Sequence, residues 1–137
     1  MAEKIQLDVV TPNRLVVSDK VDIVVAPGVL GEFGVLVGHI PFLSTLKPGE
    51  LRFTRNGKVE YMAITGGFAE VQPDKVTVLA DSAELAREID LDRARMAKER
   101  AEERLRQTKA TEIDHTRAEI ALQRALTRLR VAQKSRD

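Results

Sequence analysis

The sequence predicts a β + α protein: an N-terminal antiparallel β-sandwich of about ten short strands, then a C-terminal antiparallel two-helix hairpin. Three observations carry this. All eight Gly, all five Pro, the four Phe and the single Tyr lie at or before Pro73. Beyond it the chain is written mostly in Ala, Glu, Arg, Leu and Lys, the residues of long helices. Before it, short apolar/polar alternations are separated by turn formers, the pattern of a sandwich or barrel. The change of alphabet puts a boundary within Asp81–Glu88, and the two domains are read as residues 1–84 and 85–137.

Ile5, Leu7 and Val9 alternate with polar residues and predict the first strand, which Thr11-Pro12-Asn13 turns. Leu15–Val17 and Val21–Ala26 follow, the latter ending at Pro27-Gly28. Arg55-Asn56-Gly57-Lys58 lies between two alternating segments and predicts a type I′ hairpin, because Asn-Gly tolerates positive φ at both central positions. Gly66-Gly67 and Gln72-Pro73-Asp74-Lys75 read as further turns, and Val76, Val78 and Ala80 as the closing strand. In the second half, Leu91, Ala94, Ala97/Lys98, Ala101 and Leu105 form one helical stripe. Ala118, Ala121/Leu122, Ala125, Leu129 and Ala132 form another. Asp90 caps the first helix. Thr111-Glu112-Ile113-Asp114 has capping-box spacing and starts the second after a break at Gln107–Ala110. An Ala seam lets helix axes approach closely but buries little apolar area, so the hairpin can form and also come apart.

Several function classes are excluded by composition. Without Cys there is no disulfide and no thiolate metal site. The two His lie in different halves, and no nucleophilic triad, phosphate-cradling Gly loop or carboxylate cluster occurs, so no catalytic or metal-binding residues are assigned. The net charge is +1, and acidic and basic residues interleave along Arg93–Lys109 with no aromatic to stack a base. That is a solvated face, with Glu102 and Arg106 as an i,i+4 pair, and no nucleic-acid partner is expected. The N-terminus lacks the apolar core of a signal peptide, and no run approaches the ~20 apolar residues of a membrane span.

Two constellations remain. His39, in Val37-Gly38-His39-Ile40-Pro41, reads either as a partner contact or as a side chain satisfying loop backbone groups. In Ile89-Asp90-Leu91-Asp92-Arg93-Ala94 the acids read as capping and complementing a helix start. Alternatively Arg93 joins Arg124 and Arg128, which share a face of the second helix, in a three-guanidinium anion site. A salt bridge from Asp90 to Arg124 or Arg128 is a third reading.

Over essentially its full length the chain resembles the epsilon subunits of F-type ATP synthases. The resemblance is carried by Gly31-Glu32-Phe33-Gly34-Val35-Leu36, Gly38-His39-Ile40-Pro41-Phe42-Leu43, Lys47-Pro48-Gly49 and Ile64-Thr65-Gly66-Gly67-Phe68. It implies a non-catalytic rotor subunit coupling proton flow to ATP synthesis. The sandwich would bind the gamma subunit and the c-ring, with Glu32, Gly38, His39, Ile40, Pro41 and Phe42 at that junction. The helices would reach acidic loops of the beta subunits and inhibit hydrolysis when extended, and release it when folded down. Membrane attachment would be peripheral, on the cytoplasmic face, and indirect through the c-ring. Ile89-Asp90-Leu91-Asp92-Arg93-Ala94 also resembles the family's ATP-binding motif. That implies a regulatory ATP site of Glu84, Ile89, Asp90, Arg93, Ala94, Arg124 and Arg128, with no cofactor required. The competing reading is a generic adaptor whose hairpin pairs with another helix bundle.

Overall fold

Alternation of side chains across a pleated strand decides where the core lies. In β1 (Ile5–Val10), Ile5, Leu7 and Val9 are buried and the intervening residues are not. The same period runs through β2 (Leu15–Val21), β3 (Ile23–Gly28) and β7 (Lys75–Ala80). The computed structural model describes residues 3–107 and 111–134. Its chain separates into two compact units, Met1–Leu85 and Ala86–Asp137.

The first unit is an eight-stranded sandwich. It also contains β4 (Gly31–Val35), β5 (Phe42–Arg55), β6 (Lys58–Val71) and β8 (Ala83–Leu85). Hydrogen-bonded neighbours run β2-β1-β7-β6-β5-β3-β4, and β8 pairs with β6 off this path. Ile5, Leu7, Val24, Leu51, Phe53, Met62, Ile64 and Val76 are among the buried side chains between the layers.

Two features differ from the sequence expectation. The strands are fewer and two are long, because Gly66-Gly67 does not turn the chain. It sits inside β6, where that strand leaves β7 (Gly67↔Ala80) and takes up β8 (Ile64↔Ala83). Both glycines have positive φ, +93° and +120°, so they form an irregularity that bends a continuous strand between layers. Lys47-Pro48-Gly49 is likewise carried within β5. The sheet is also mixed, since β1 pairs antiparallel with β2 but parallel with β7. Asn56 and Gly57 turn β5 into β6 with φ of 53° and 78°, as a type I′ turn requires.

The second unit begins with a 3-10 turn at Ala86–Glu88 and continues as α1 (Leu91–Arg106) and α2 (Glu112–Lys134). The helices pack on one another, and their short connection makes them antiparallel. Thr108, Lys109 and Ala110 of the expected break lie outside the described residues. Ala94 and Ala101 are the buried residues of α1, and Ala118, Ala125 and Ala132 are buried at seven-residue intervals on α2. Both helix starts are capped by side chains. Asp90 Oδ1 accepts from Arg93 N at 3.1 Å, and Thr111 Oγ1 accepts from Asp114 N at 3.1 Å. Arg106 hydrogen-bonds to Glu103 at 2.7 Å, one turn back, rather than to the expected Glu102.

Candidate functional site

The first cluster belongs to the sandwich, where β4 ends and the chain loops back into β5. Gly38 adopts φ +85° and donates its N–H to Pro73 O at 2.6 Å, pinning the loop to the β6–β7 turn. His39 turns its Nδ1 to Ile40 O at 2.7 Å, and its ring lies 5.2 Å from that of Phe42. Phe42 in turn meets Phe33 edge-on, with centroids 5.0 Å apart. His39 therefore does satisfy a loop backbone group, and its ring also buttresses an aromatic cluster. Around this packed base Leu36, Ile40 and Leu43 are exposed, Ile40 at 79%.

Glu32 is paired elsewhere. It lies on β4, and Arg52 on β5 reaches it across β3, with Nη1–Oε2 at 3.0 Å and Nη2–Oε1 at 2.9 Å. Glu50 Oε2 lies 3.3 Å from the same Nη1. Hydrogen bonding to Glu32, followed by its charge and that of Glu50, pushes the Arg52 pKa above its ordinary value. Sequence reading missed Arg52, because 20 residues separate it from Glu32 and only strand order brings them together.

A further surface was also missed. On the outer face, Val10 pairs with Leu79 and Leu79 with Phe68, giving an apolar row across three strands. Leu79 and Phe68 are exposed, and an open cleft of about 380 Å³ lies against them, lined also by Thr11, Pro12 and Asp81. The alternation of β7 could have flagged Leu79, an apolar residue at an outward position.

The second cluster lies on the helices. Ile89 is buried just before α1, Asp90 caps that helix, Arg93 is exposed in its first turn and Ala94 is buried. Arg124 and Arg128 stand one turn apart in the second half of α2, the first exposed and the second partly buried. Antiparallel packing brings this half of α2 alongside the start of α1. Glu84 belongs to β8, in the first unit. Among the described residues no group of three metal-ligating side chains occurs, and no helix is long and apolar enough to cross a membrane.

Comparisons with known proteins follow the same two-part division. Residues 4–86 match the family model of the ATP synthase Delta/Epsilon chain beta-sandwich domain, and residues 87–133 that of its long alpha-helix domain. An ATP synthase epsilon chain of Syntrophobacter fumaroxidans is 62% identical over 109 residues, covering 80% of this chain and 81% of that one. One from Nitratidesulfovibrio vulgaris is 58% identical over the same coverage. A chain in the cryo-EM structure of the Euglena gracilis mitochondrial ATP synthase (OSCP/F1/c-ring) superposes with a TM-score of 0.80 at 25% identity. That match covers 99% of this chain and 82% of that one. A chain from the Tetrahymena thermophila mitochondrial enzyme shares the fold, with a TM-score of 0.63 at 15% identity, covering 99% and 98%.

Proposed function

Because this chain belongs to the ATP synthase Delta/Epsilon family, and its relatives are epsilon chains, we propose that it is a central-stalk subunit that carries both a rotor seat and a brake. As an epsilon chain it is a non-catalytic subunit of the complex. The sandwich is the seat. It binds the gamma subunit and the c-ring, using Glu32 and the Gly38–Phe42 loop at the ring. The exposed apolar side chains of this unit support that role, since patches of this kind on a soluble fold mark protein contacts. Through the c-ring the subunit is held at the cytoplasmic face of the membrane.

The helical unit is the brake, inhibiting ATP hydrolysis through contact with the beta subunits. The observation that carries this reading is the seam of α1 and α2, whose buried residues on α1 are alanines alone. Small side chains bury little apolar surface, which keeps alternative arrangements of the helices close in energy. ATP acts as a regulatory ligand of the packed helices through Asp90, Arg93, Ala94, Arg124 and Arg128. Guanidinium forks suit phosphate oxygens, and antiparallel helices bring the carrying segments side by side.

The decisive experiment reconstitutes the synthase with the full chain or with a chain ending at Leu85, which retains β8 and its pairing to β6. The shortened chain should assemble and support synthesis while hydrolysis rises. Unchanged hydrolysis rules out the brake. The ATP role is tested by melting the helices of the isolated chain under ATP titration, and no shift at millimolar ATP discards it.

A further inference from the structure

The tip of the β5–β6 hairpin brings together groups that can react with one another. Asn56 is followed by Gly57, and both are exposed. Asn56 holds φ of 53°, the left-handed region in which a residue with a Cβ is strained. A Cβ on Gly57 would meet nothing within 4 Å, so the turn has room to move. Among the described residues the Gly57 N–H has no hydrogen-bond partner across the turn. The bare Cα beside that nitrogen puts no side chain in the way of its approach to the Asn56 amide. Beneath the tip the strands stay paired up to Arg55↔Lys58, so the turn can be remodelled without opening the sandwich. From 52 residues away, Lys4 donates its Nζ to Asn56 Oδ1 at 2.8 Å. A cation on a carbonyl oxygen steadies the negative charge that the oxygen takes up when a nucleophile adds to its carbon.

We propose that Asn56–Gly57 is a self-modification site, at which the folded chain slowly converts Asn56 to aspartate and isoaspartate with the Lys4 ammonium assisting. The Gly57 nitrogen gives its proton to hydroxide and bonds to Asn56 Cγ, and the charge moves to Oδ1, where Lys4 holds it. The Cγ–Nδ2 bond then breaks. The released nitrogen takes a proton from water, which restores the hydroxide, and leaves as ammonia. A cyclic imide remains, and water opens it at either carbonyl. Overall one water is consumed and one ammonia released, with no oxidant or reductant. Opening at Cγ gives aspartate. Opening at the main-chain carbonyl gives isoaspartate, which lengthens the turn by one backbone carbon. Either product sets a carboxylate beside Lys4 where a neutral amide stood. In a closed site one such donor contributes about a hundredfold or more to a rate, and at this exposed tip, where water screens the charge, about two- to tenfold.

The test incubates the full chain and its variants in warm, mildly alkaline buffer and follows conversion by ion exchange and peptide mapping. The other asparagine of the chain, Asn13, precedes Arg14 and serves as an internal reference. In the folded wild type Asn56 should convert faster than Asn13. Gly57→Ala should slow conversion sharply, because a methyl group then crowds the attacking nitrogen. Lys4→Met should slow it about two- to tenfold. In concentrated urea, where the Lys4 contact is gone, wild type and Lys4→Met should convert alike. The proposal is overturned if Asn56 of the folded chain converts no faster than Asn13, if Gly57→Ala converts at the wild-type rate, or if folded Lys4→Met does. It is also overturned if the Lys4→Met difference persists undiminished in urea, since the folded contact would then not be its source.

Discussion

Replacing Gly67 with alanine should cripple the sandwich although it adds one methyl group. A Cβ at this position would sit 1.9 Å from Leu79 O and 2.9 Å from Ala80 Cα. Those atoms are backbone of β7, so no side-chain rotation relieves the overlap, and the strand must withdraw. The φ of +120° is also one that L side chains rarely adopt, which adds about 1–3 kcal/mol. Withdrawal opens the Gly67↔Ala80 end of the β6–β7 ladder, and each ladder hydrogen bond left unmade in the interior costs about 1–3 kcal/mol more. A total of about 3–5 kcal/mol corresponds to a fall in melting temperature of about 12 °C or more for a unit this size. Gly57 is the control, with φ +78° and nothing within 4 Å of its added Cβ, so alanine there meets only the left-handed penalty of about 1–2 kcal/mol. Thermal melts of the sandwich, followed by strand-sensitive circular dichroism, compare the two. The reasoning fails if Gly67→Ala melts within a few degrees of the wild type, or above Gly57→Ala.

Removing the cap of α1 with Asp90→Ala should cost about 1 kcal/mol of helical stability, read as a lower melting temperature at 222 nm, with Asp90→Ser restoring most of it. Ala101→Leu places a larger side chain at a position 1% exposed on α1 and should destabilise the helix pair by about 1–3 kcal/mol, measured by urea unfolding. Asp8 should carry part of the acid sensitivity of the sandwich. Hydrogen bonds from Gln6 and then Ser18, with Lys75 adding its own, lower its pKa below the ordinary 3.8. A depressed folded pKa means that this stabilisation is present above 3.8 and is lost as pH falls through the depressed value. Asp8→Asn should therefore flatten the fall in melting temperature below pH 4 or so, and an unchanged slope assigns that fall to other carboxylates.

Local signals were legible where a few adjacent residues decide the conformation. Asn56-Gly57 announced its turn because positive φ at both centres suits few other pairs. Asp90 and Thr111 announced helix starts through their own oxygens, and the Ala stripes named the buried alanines of both helices, while the buried Thr127 and Val131 of α2 lie off them. Gly66-Gly67 misled, because glycine permits a turn and a mid-strand bend equally, and pairing with β7 and β8 made the choice. The parallel β1–β7 pairing left no trace in alternation, which is the same for either strand direction. For the candidate site, the loop around His39 was visible through Gly38 and Pro41. Arg52 was not, since a cation on one strand says nothing of a carboxylate two strands away. Whether the guanidinium tips of Arg93, Arg124 and Arg128 meet is set by rotamers and helix rotation, which spacing along the chain does not specify.

The parallel pairing of β1 with β7 also sets an order of events as the chain emerges during synthesis. Gln6 finds its neighbour on β7 at Lys75, roughly 70 residues later, so one edge of the first strand stays open until nearly the whole sandwich exists. Closing such a long loop is slow, and an open strand edge invites wrong pairing meanwhile. The helices need only neighbours within about 50 residues, so they should form quickly once made. The part with the most contacts is thus completed through its most distant one, and a chaperone that shields β1 early has a defined interval in which to act.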